Sequence, residues 1–257
     1  MTAPSRTRLD QLLVDRGLAE SRARAQALIM AGLVFSGERR LDKPGLALAT
    51  DTPLDVRGRD HPWVSRGGVK LAAALDAFAI DPAGFVCLDV GASTGGFTDV
   101  LLTRGAARVY AVDVGAGQLA WKLRSDPRVV VLERVNARAL AAAQVPEPID
   151  LVVCDVSFIS LTLALPAALA LTNSDARLVA LIKPQFEAGR EQVGKGGIVR
   201  DEAVRRAVCE KIIAWLGTRP GWDVQGVIES PIAGADGNVE YLLAGRRSPA
   251  TGQAVKS

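Results

Sequence analysis

A glycine-rich segment followed at a fixed distance by an aspartate is the clearest chemical signal in the sequence. Residues 88–97 read LDVGASTGGF, after an apolar run and before a helical pattern. Glycines in such a turn let the backbone approach a ligand closely, and the first N–H groups of the following helix are free to bind it. Asp113 comes 22 residues after Gly91, at the end of the next apolar run, where a carboxylate can accept hydrogen bonds from two ribose hydroxyls. This spacing predicts a site for a nucleoside-containing cofactor.

The details of the segment disfavour two common cofactor classes. It does not contain G-x-G-x-x-G, which argues against NAD and FAD, and it lacks the Lys-Ser/Thr pair of a phosphate-binding P-loop. A glycine-rich turn without a ligand is the alternative. The residues expected to contact the cofactor lie in this segment and at the ends of neighbouring strands: Asp89, Gly91, Ser93, Thr94, Gly95, Gly96, Phe97, Asp113, Asn136 and Asp155.

Two lysines and two carboxylates could supply acid–base chemistry beside that cofactor. Asp155 and Lys183 each end an apolar run, Glu240 stands at the start of the last run, and Lys70 lies on the helix before the first. A lysine partly removed from water beside a second cation can act as a base toward a very weak acid such as a ribose hydroxyl, and carboxylates orient it. If the nucleoside cofactor carries a sulfonium methyl group, that group is already electrophilic, and its transfer to a ribose hydroxyl needs no metal. Each residue alone could be a surface ion-pair partner, but their expected convergence favours a catalytic set.

The order of strands and helices after residue 67 would bring these residues together. Helices are predicted over 67–79 and 202–216. The apolar runs predict strands at 85–90, 109–114, 129–132, 151–155, 178–183, 223–229 and 239–244. Buried strands that alternate with helices form a parallel sheet with ligand sites at the carboxyl edge. Because the last two strands are joined too closely for a crossover helix, the last should be antiparallel. We therefore predict an α/β, Rossmann-like fold with a seven-stranded, mostly parallel sheet.

The first part of the chain predicts a separate small α+β domain. One helix begins near Leu9 and stops at Gly17, and a second runs from an N-cap at Ser21 to a stop at Gly32, before a few short strand-like pieces. The sequence thus divides into a small domain at 6–58, a linker at 59–66, a larger domain at 67–247 and a disordered tail at 248–257.

Positive charge is concentrated at the front of the chain. Residues 1–70 carry 12 Lys and Arg against 8 Asp and Glu, a net charge of +4, whereas the other 187 residues carry 19 against 20, a net charge of −1. This asymmetry is compatible with a phosphate-binding domain. The arginines expected to contact nucleic-acid phosphates are Arg6, Arg8, Arg22, Arg24, Arg39, Arg40 and Arg66, although each could singly be a solvated charge.

Other features argue against a metal site, secretion or membrane insertion. The lone histidine, His61, has no second histidine as a partner, so we interpret it as structural or as an RNA contact. Cys87, Cys154 and Cys209 lack metal-ligand spacing and are expected to be buried free thiols. The sequence has no signal-peptide pattern, and its most apolar stretch, 161–182, is interrupted by a proline and a polar run. We expect a cytoplasmic protein without membrane association.

Six separated motifs together resemble the TlyA family of rRNA cytidine 2′-O-methyltransferases, long labelled haemolysins. In order they are WVSRGGVK at 63–70, GASTGG at 91–96, GQLAW at 117–121, CDVSFIS at 154–160, KPQFE at 183–187 and GNVEY at 237–241. The resemblance covers nearly the whole chain, and the first domain is similar to the RNA-binding fold of ribosomal protein S4. One position departs from the pattern: His61 stands where related sequences carry an arginine in the linker.

The resemblance implies a class I methyltransferase fold with S-adenosylmethionine as the cofactor. It also implies the catalytic set of FtsJ-type ribose methyltransferases, carried here by Lys70, Asp155, Lys183 and Glu240. The implied partner is ribosomal RNA within ribosomal subunits, with no obligatory protein partner.

Three other interpretations of the chain stay open at this point. They are a membrane-active haemolysin, an RNA-binding protein with a vestigial cofactor fold, and a nucleotide-dependent oxidoreductase. The glycine-rich, basic segment 189–200 is equally compatible with a mobile lid, an RNA-contacting loop and a solvated loop.

Overall fold

The structure, a computed structural model, describes residues 6–30, 32–56, 61–234 and 237–248. Positions 59–60 of the predicted linker and 249–257 of the predicted tail lie outside the described residues. Within the described part of the chain, no helix is both long and apolar enough to cross a membrane.

The first 56 residues form a small unit of two helices and short strands. Its elements are β1 (Arg6–Arg8), α1 (Leu9–Asp15), α2 (Arg22–Met30), β2 (Val34–Ser36), β3 (Arg39–Arg40), β4 (Ala47–Ala49) and β5 (Asp55–Val56). Strand β1 pairs with β4, and β2 lies between β3 and β5. The two helices close over a buried core that includes Leu9, Leu13, Ala25, Ile29 and Val34. Both predicted helices are confirmed, whereas β1, β3 and β4 were not predicted.

Local backbone chemistry sets the ends of these helices. Gly17 and Gly32 have φ values of +65° and +71°, a conformation that glycine adopts without a steric penalty and that ends a helix. The hydroxyl of Ser21 accepts a hydrogen bond from the backbone N–H of Arg24 at 3.2 Å, as an N-cap does.

The larger unit is a seven-stranded sheet with helices on both faces. Its elements are α3 (Gly67–Ala77), β6 (Val86–Val90), α4 (Gly96–Thr103), β7 (Arg108–Asp113), α5 (Trp121–Arg124), β8 (Val129–Glu133), β9 (Ile149–Cys154), α6 (Leu161–Ala170), β10 (Thr172–Ile182), α7 (Pro184–Glu187), α8 (Glu202–Gly217), β11 (Trp222–Glu229) and β12 (Tyr241–Arg247). The strand order is β11-β12-β10-β9-β6-β7-β8. Strand β12 is antiparallel to both of its neighbours, and the pairs β10–β9, β6–β9, β6–β7 and β7–β8 are parallel. The predicted fold class is confirmed.

The central strands are buried on both faces, which is why they appear as continuous apolar runs in the sequence. In β9, for example, Leu151, Val152, Val153 and Cys154 are all inaccessible to solvent. Alternate residues belong to two separate hydrophobic clusters, one on each face of the sheet. The three cysteines are buried free thiols, as predicted. Because the central strands are parallel, their carboxyl ends share one edge, and this edge carries the candidate site.

One strand differs clearly from the prediction. Strand β10 begins at Thr172, whereas the predicted strand begins at residue 178, after the polar run at 173–177. Asp175 is exposed and pairs with Arg246 at 2.8 Å, while Arg177 pairs with the same carboxylate. Polar residues are stable in this strand because it extends past the core to the solvent-facing end of the sheet.

Candidate active site

The glycine-rich loop between β6 and α4 has a backbone that only small residues can adopt. Gly91 and Gly95 have φ values of +89° and +97°. A Cβ atom on Gly91 would lie 2.6 Å from the backbone oxygen of Asp155, so a larger residue would push the loop away from β9. The N–H groups of Gly91 and Ala92 both donate to the carbonyl of Val112, at 2.9 and 3.0 Å. These contacts hold the loop against the carboxyl edge of the sheet.

Asp113 closes the loop on its other side. Its Oδ2 accepts a hydrogen bond from the N–H of Ser93 at 2.8 Å, and its Oδ1 accepts one from the N–H of Gly115 at 2.7 Å. Each carboxylate oxygen has a second lone pair that could accept a bond from a ligand hydroxyl. Asp113 and Asn136 line a cavity of about 510 Å³, which we call the Asp113 cavity. Its apolar lining includes Val114 and Val156.

Two of the residues predicted to contact the cofactor, Asp89 and Gly95, are not among the residues that line a cavity at this edge. Asp89 is fully buried beneath the loop, where its Oδ2 accepts a hydrogen bond from Thr98 Oγ1 at 2.7 Å. It therefore supports the loop and does not reach a cavity. Gly95 faces the protein interior, because a Cβ atom there would lie 2.3 Å from the side chain of Leu123. Spacing within the motif could not distinguish residues that support the loop from residues that face the ligand.

A second cavity of about 630 Å³ adjoins the first, and we call it the Lys183 cavity. The predicted cofactor residues on its wall are Gly91, Ser93, Thr94, Gly96, Phe97 and Asp155. All four members of the predicted catalytic set also line it. Gln118 belongs to both cavities, as do Gly91, Ser93 and Asp155. The two cavities are thus continuous at the glycine-rich loop.

Lys70 and Glu240 form a buried ion pair on this wall. Lys70 Nζ lies 2.6 Å from Glu240 Oε2, and the side chains are only 11% and 3% exposed. Strand β12 begins at Tyr241 and not at residue 239 as predicted, so Glu240 directly precedes the strand. The backbone carbonyl of Glu240 accepts a hydrogen bond from the N–H of Ser230 at 2.8 Å. A Cβ atom on Gly234 would lie 2.5 Å from Glu240 Oε1, so the segment before β12 folds closely around this carboxylate.

Asp155 and Lys183 form a second ion pair. Lys183 Nζ lies 2.6 Å from Asp155 Oδ1, because β9 and β10 are adjacent parallel strands whose carboxyl ends lie on the same edge of the sheet. The same amine donates a hydrogen bond to Ser157 Oγ at 2.9 Å. Two amines and two carboxylates from distant parts of the chain therefore line one cavity, as the strand order predicts.

Sequence analysis missed several residues that lie on this wall or are buried behind it. Phe158 is 89% exposed, has a φ of +65°, and packs its ring against Phe186, with ring centroids 4.9 Å apart. Ser157 is the acceptor for Lys183 described above. Glu187 is buried and accepts hydrogen bonds from Ser160 Oγ and the N–H of Leu161, both at 2.7 Å. Both motifs that carry these residues had been identified, but no spacing rule indicates which side chains face each other across them.

Contacts of Glu187 and Phe186 connect the two segments that carry Asp155 and Lys183. Glu187 joins α7 to the start of α6, and Phe186 packs on the loop after β9. The carbonyl of Glu187 also accepts a hydrogen bond from Lys211 Nζ at 2.9 Å, which ties α7 to α8. These contacts fix the relative position of the two strand ends.

The predicted RNA-binding arginines of the small unit differ in the partners they have. Arg8 and Arg22 both pair with the buried carboxylate of Asp10, at 3.0 Å each, and their side chains are 53% exposed. The hydrogen bond from the Arg8 guanidinium holds the pKa of Asp10 well below its usual range. Arg6 donates to the carbonyl of Ala47 at 2.9 Å. Arg24, Arg39 and Arg40 are exposed on the same unit.

Arg66, which lies between the two units, faces the Lys183 cavity. Arg66 lines that cavity and donates a hydrogen bond to the carbonyl of Ala233 at 3.2 Å. The N–H of Arg66 donates to Glu20 of the small unit, also at 3.2 Å. Val14 and Ala19 of the small unit complete the wall. The wall of this cavity therefore includes residues of both units.

His61 lines a small recess with Glu20, Val64 and Arg66 between the units. Among the described residues, no group of three or more His, Cys, Asp and Glu side chains is arranged to hold a metal ion.

Comparisons with known proteins agree with this arrangement. Residues 63–247 match the FtsJ-like methyltransferase family, and residues 7–51 match the S4 domain. The chain is 53% identical to the 16S/23S rRNA (cytidine-2′-O)-methyltransferase TlyA of Mycobacterium tuberculosis, over 93% of this chain and 89% of that protein. It is 44% identical to Hemolysin A of Brachyspira hyodysenteriae, over 91% of this chain and 98% of that protein.

A solved structure extends the similarity to three dimensions. A hemolysin-named protein from Streptococcus thermophilus superimposes with a TM-score of 0.76 at 43% identity, over 96% of this chain and 91% of that one. These matches cover both units in their order along the chain. The protein therefore belongs to the FtsJ-like methyltransferase family, in its TlyA branch, with an S4 domain preceding the methyltransferase domain.

Proposed function

We propose that this protein transfers a methyl group from S-adenosylmethionine to the 2′-hydroxyl of a cytidine in ribosomal RNA. The observation that carries the proposal is the position of Lys70, Asp155, Lys183 and Glu240 on one cavity beside the glycine-rich loop. The M. tuberculosis relative, at 53% identity, bears the name of that reaction. The two lines of support are independent, since one is the arrangement of side chains and the other is similarity over the whole chain.

The residues of the Asp113 cavity fit a nucleoside cofactor. Asp113 offers carboxylate lone pairs to ribose hydroxyls, Asn136 is a polar group at the rim, and the apolar lining between them suits a purine ring. Gly91 keeps the backbone open where the two cavities join. When bound, S-adenosylmethionine would supply a methyl group made electrophilic by a positively charged sulfur.

The two ion pairs of the Lys183 cavity have different roles in the proposed reaction. Lys183 takes the proton of the ribose hydroxyl, and Asp155 holds its amine at 2.6 Å. Lys70 remains positively charged beside Glu240 and stabilises the negative charge that develops on the ribose oxygen. The low exposure of this pair strengthens its electrostatic effect, because little water is present to screen it.

RNA binding belongs to the S4 domain together with the residues that face the cavity from the other side. Arg24, Arg39 and Arg40 are exposed and could neutralise phosphates, and Arg66 lies where the target nucleotide would enter. Ribosomal subunits are the proposed form of the substrate. Binding through phosphates predicts an affinity that weakens as the salt concentration rises.

Methyl transfer from radiolabelled S-adenosylmethionine tests this function directly. The purified protein is incubated with each ribosomal subunit and with each naked ribosomal RNA, and the labelled RNA is digested with alkali. A 2′-O-methyl group blocks cleavage at its own nucleotide, so the expected product is a labelled, alkali-resistant dinucleotide that begins with cytidine. Label in alkali-sensitive nucleotides, or no label with any of these substrates, would contradict the proposal.

Lysis of membranes is a second candidate function, favoured by the name of the B. hyodysenteriae relative, Hemolysin A. The test is haemoglobin release from erythrocytes by the purified protein, with and without S-adenosylmethionine. Release that is equal for the wild type and Lys183→Ala would establish a lytic activity separate from methyl transfer. No release at any protein concentration would exclude it.

A further inference from the structure

Ser157 lies at the centre of the candidate site, although neither its residue type nor its motif position suggested a role. It follows β9 by three positions, two after Asp155, and its hydroxyl is exposed on the walls of both cavities. Its Oγ lies 2.9 Å from Lys183 Nζ and accepts a hydrogen bond from it. No other side-chain hydrogen bond is found for this hydroxyl among the described residues.

We infer that Ser157 is a positioning residue that orients Lys183 for proton transfer. This inference rests on the proposed function, because it concerns the base in that reaction. A charged lysine amine has three N–H donors, and a neutral one has two N–H donors and one lone pair. Ser157 Oγ, at 2.9 Å, accepts a hydrogen bond from this amine, whereas Asp155 Oδ1, at 2.6 Å, is an ion-pair partner that forms no hydrogen bond with it. The hydrogen bond to Ser157 therefore restricts the directions in which the lone pair of the neutral amine can point.

Lys183 lines the Lys183 cavity, and its side chain is only 11% exposed. Its two partners, Asp155 and Ser157, both belong to the segment that follows β9. In the proton transfer the O–H bond of the ribose breaks and an N–H bond forms on Lys183 Nζ. The oxygen keeps the electron pair of the broken O–H bond, which makes it the nucleophile of the proposed reaction.

Asp155 alone would not fix this orientation. Without the hydrogen bond to Ser157, the amine can rotate about the Cε–Nζ bond and turn an N–H group, in place of its lone pair, toward the ribose hydroxyl. The turn after Ser157 also supports the arrangement: Phe158 has a φ of +65° and is packed against Phe186 of the segment that carries Lys183. The Ser157 hydroxyl is therefore held close to the amine by the backbone around it.

The test compares Ser157→Ala with Ser157→Thr, which keeps the hydroxyl. Because Ser157 is exposed, neither change should disturb folding. In single-turnover methylation of ribosomal RNA at saturating cofactor and RNA, we expect Ser157→Ala to lower the rate constant by about 10²-fold, the effect of a misplaced reactive group. The dissociation constants for S-adenosylmethionine and RNA should stay at wild-type values, and Ser157→Thr should recover most of the rate. Ser174→Ala, an exposed serine on β10, is the matched control.

A double variant shows whether Ser157 acts through Lys183. If it does, adding Ser157→Ala to Lys183→Ala causes no further loss, because the group to be positioned is already gone. A further loss in that background, or a wild-type rate for Ser157→Ala alone, would overturn the inference. A wild-type protein that does not methylate ribosomal RNA would instead disprove the proposed function, so the two failures are distinguishable.

Discussion

Lys70 Nζ and Glu240 Oε2 lie 2.6 Å apart although 170 residues separate them in the sequence. Lys70 lies on the helix before the first strand of the sheet, and Glu240 directly precedes the last strand. The contact therefore joins the two ends of the methyltransferase domain. Each charge of the pair also needs the other, because a charge left unpaired in this position would have little water to solvate it.

This burial predicts a specific pattern of stabilities. Glu240→Ala leaves Lys70 without its partner and should lower the free energy of unfolding by about 3–5 kcal/mol. Lys70→Met should have a similar effect, because it leaves the Glu240 carboxylate unpaired. The double variant Lys70→Met/Glu240→Ala removes both charges and should be more stable than either single variant. Urea denaturation measures all four proteins.

The exposed ion pair between Arg206 and Glu202 provides the control, with side chains that are 68% and 74% exposed. Glu202→Gln should change the stability far less than Glu240→Ala does. If the losses of the two single variants add in the double variant, Lys70 and Glu240 are not coupled as their geometry indicates.

The proposed base predicts the effect of changes at Lys183. Lys183→Ala should reduce the rate of methyl transfer by about 10²- to 10⁴-fold, the usual contribution of a general base. Lys183→Arg should be impaired to a similar degree, because a guanidinium keeps its proton at any working pH. Calorimetry should find S-adenosylmethionine binding retained in both variants, since Lys183 is not among the residues expected to bind the cofactor. Substantial activity in Lys183→Arg would mean that this position supplies charge alone.

Much of this site follows from the sequence because of the topology of the sheet. The buried strands appear as apolar runs, and parallel order requires that Asp155 and Lys183, at the ends of two of them, fall on the same edge. The antiparallel last strand brings Glu240 to that edge as well. Residues that end strands are therefore placed by the fold itself, without knowledge of any side-chain contact.

Contacts between loops are harder to predict, because they depend on backbone angles that residue types do not specify. Ser157 reaches Lys183 through a loop in which Phe158 has a left-handed φ, although phenylalanine rarely adopts one. Asp89 is in the motif but points beneath the loop, since side chains alternate between the two faces of β6. Arg8 and Arg22 were predicted to contact RNA phosphates, and their shared partner Asp10 is evident only once α1 and α2 are packed together.

Asp89 makes the stability depend on pH in an unusual direction. Burial raises its pKa to about 7; the Thr98 hydroxyl opposes the shift, and the charge of Asp155 adds to it. In the unfolded chain an aspartate has a pKa of about 3.9. Between these values the unfolded chain loses the proton first, so this group favours folding less as the pH rises toward 7. Each unit of difference in pKa corresponds to about 1.4 kcal/mol.

The variant Asp89→Asn removes this dependence, because an amide does not titrate. We expect the wild type to lose more stability than Asp89→Asn when the pH is raised from about 5 to about 8. Urea denaturation at a series of pH values measures the difference, and Asp81→Asn, at an exposed position, should follow the wild type. Parallel curves for the wild type and Asp89→Asn would show that Asp89 is ionised throughout this range.

Asp10 offers a test of how the S4 domain presents its charges to RNA. Its buried carboxylate accepts bonds from Arg8, Arg22 and Gln26, each at 3.0 Å, which holds both guanidinium groups at one place on the surface. Asp10→Asn raises the net charge of the domain by one but loosens this arrangement. If the two arginines bind phosphates as an organised pair, RNA affinity should fall in spite of the added charge.

The matched control is Asp42→Asn, which makes the same change of charge at an exposed position of the same domain. It should bind ribosomal RNA slightly more tightly than the wild type, because only the overall attraction to phosphates changes. Binding is measured by filter retention at several salt concentrations, after circular dichroism has shown that Asp10→Asn is folded. If Asp10 organises these arginines for RNA binding, the RNA affinities of the two variants change in opposite directions. Tighter binding by both would mean that net charge alone governs the affinity and that the Asp10 cluster only stabilises the domain.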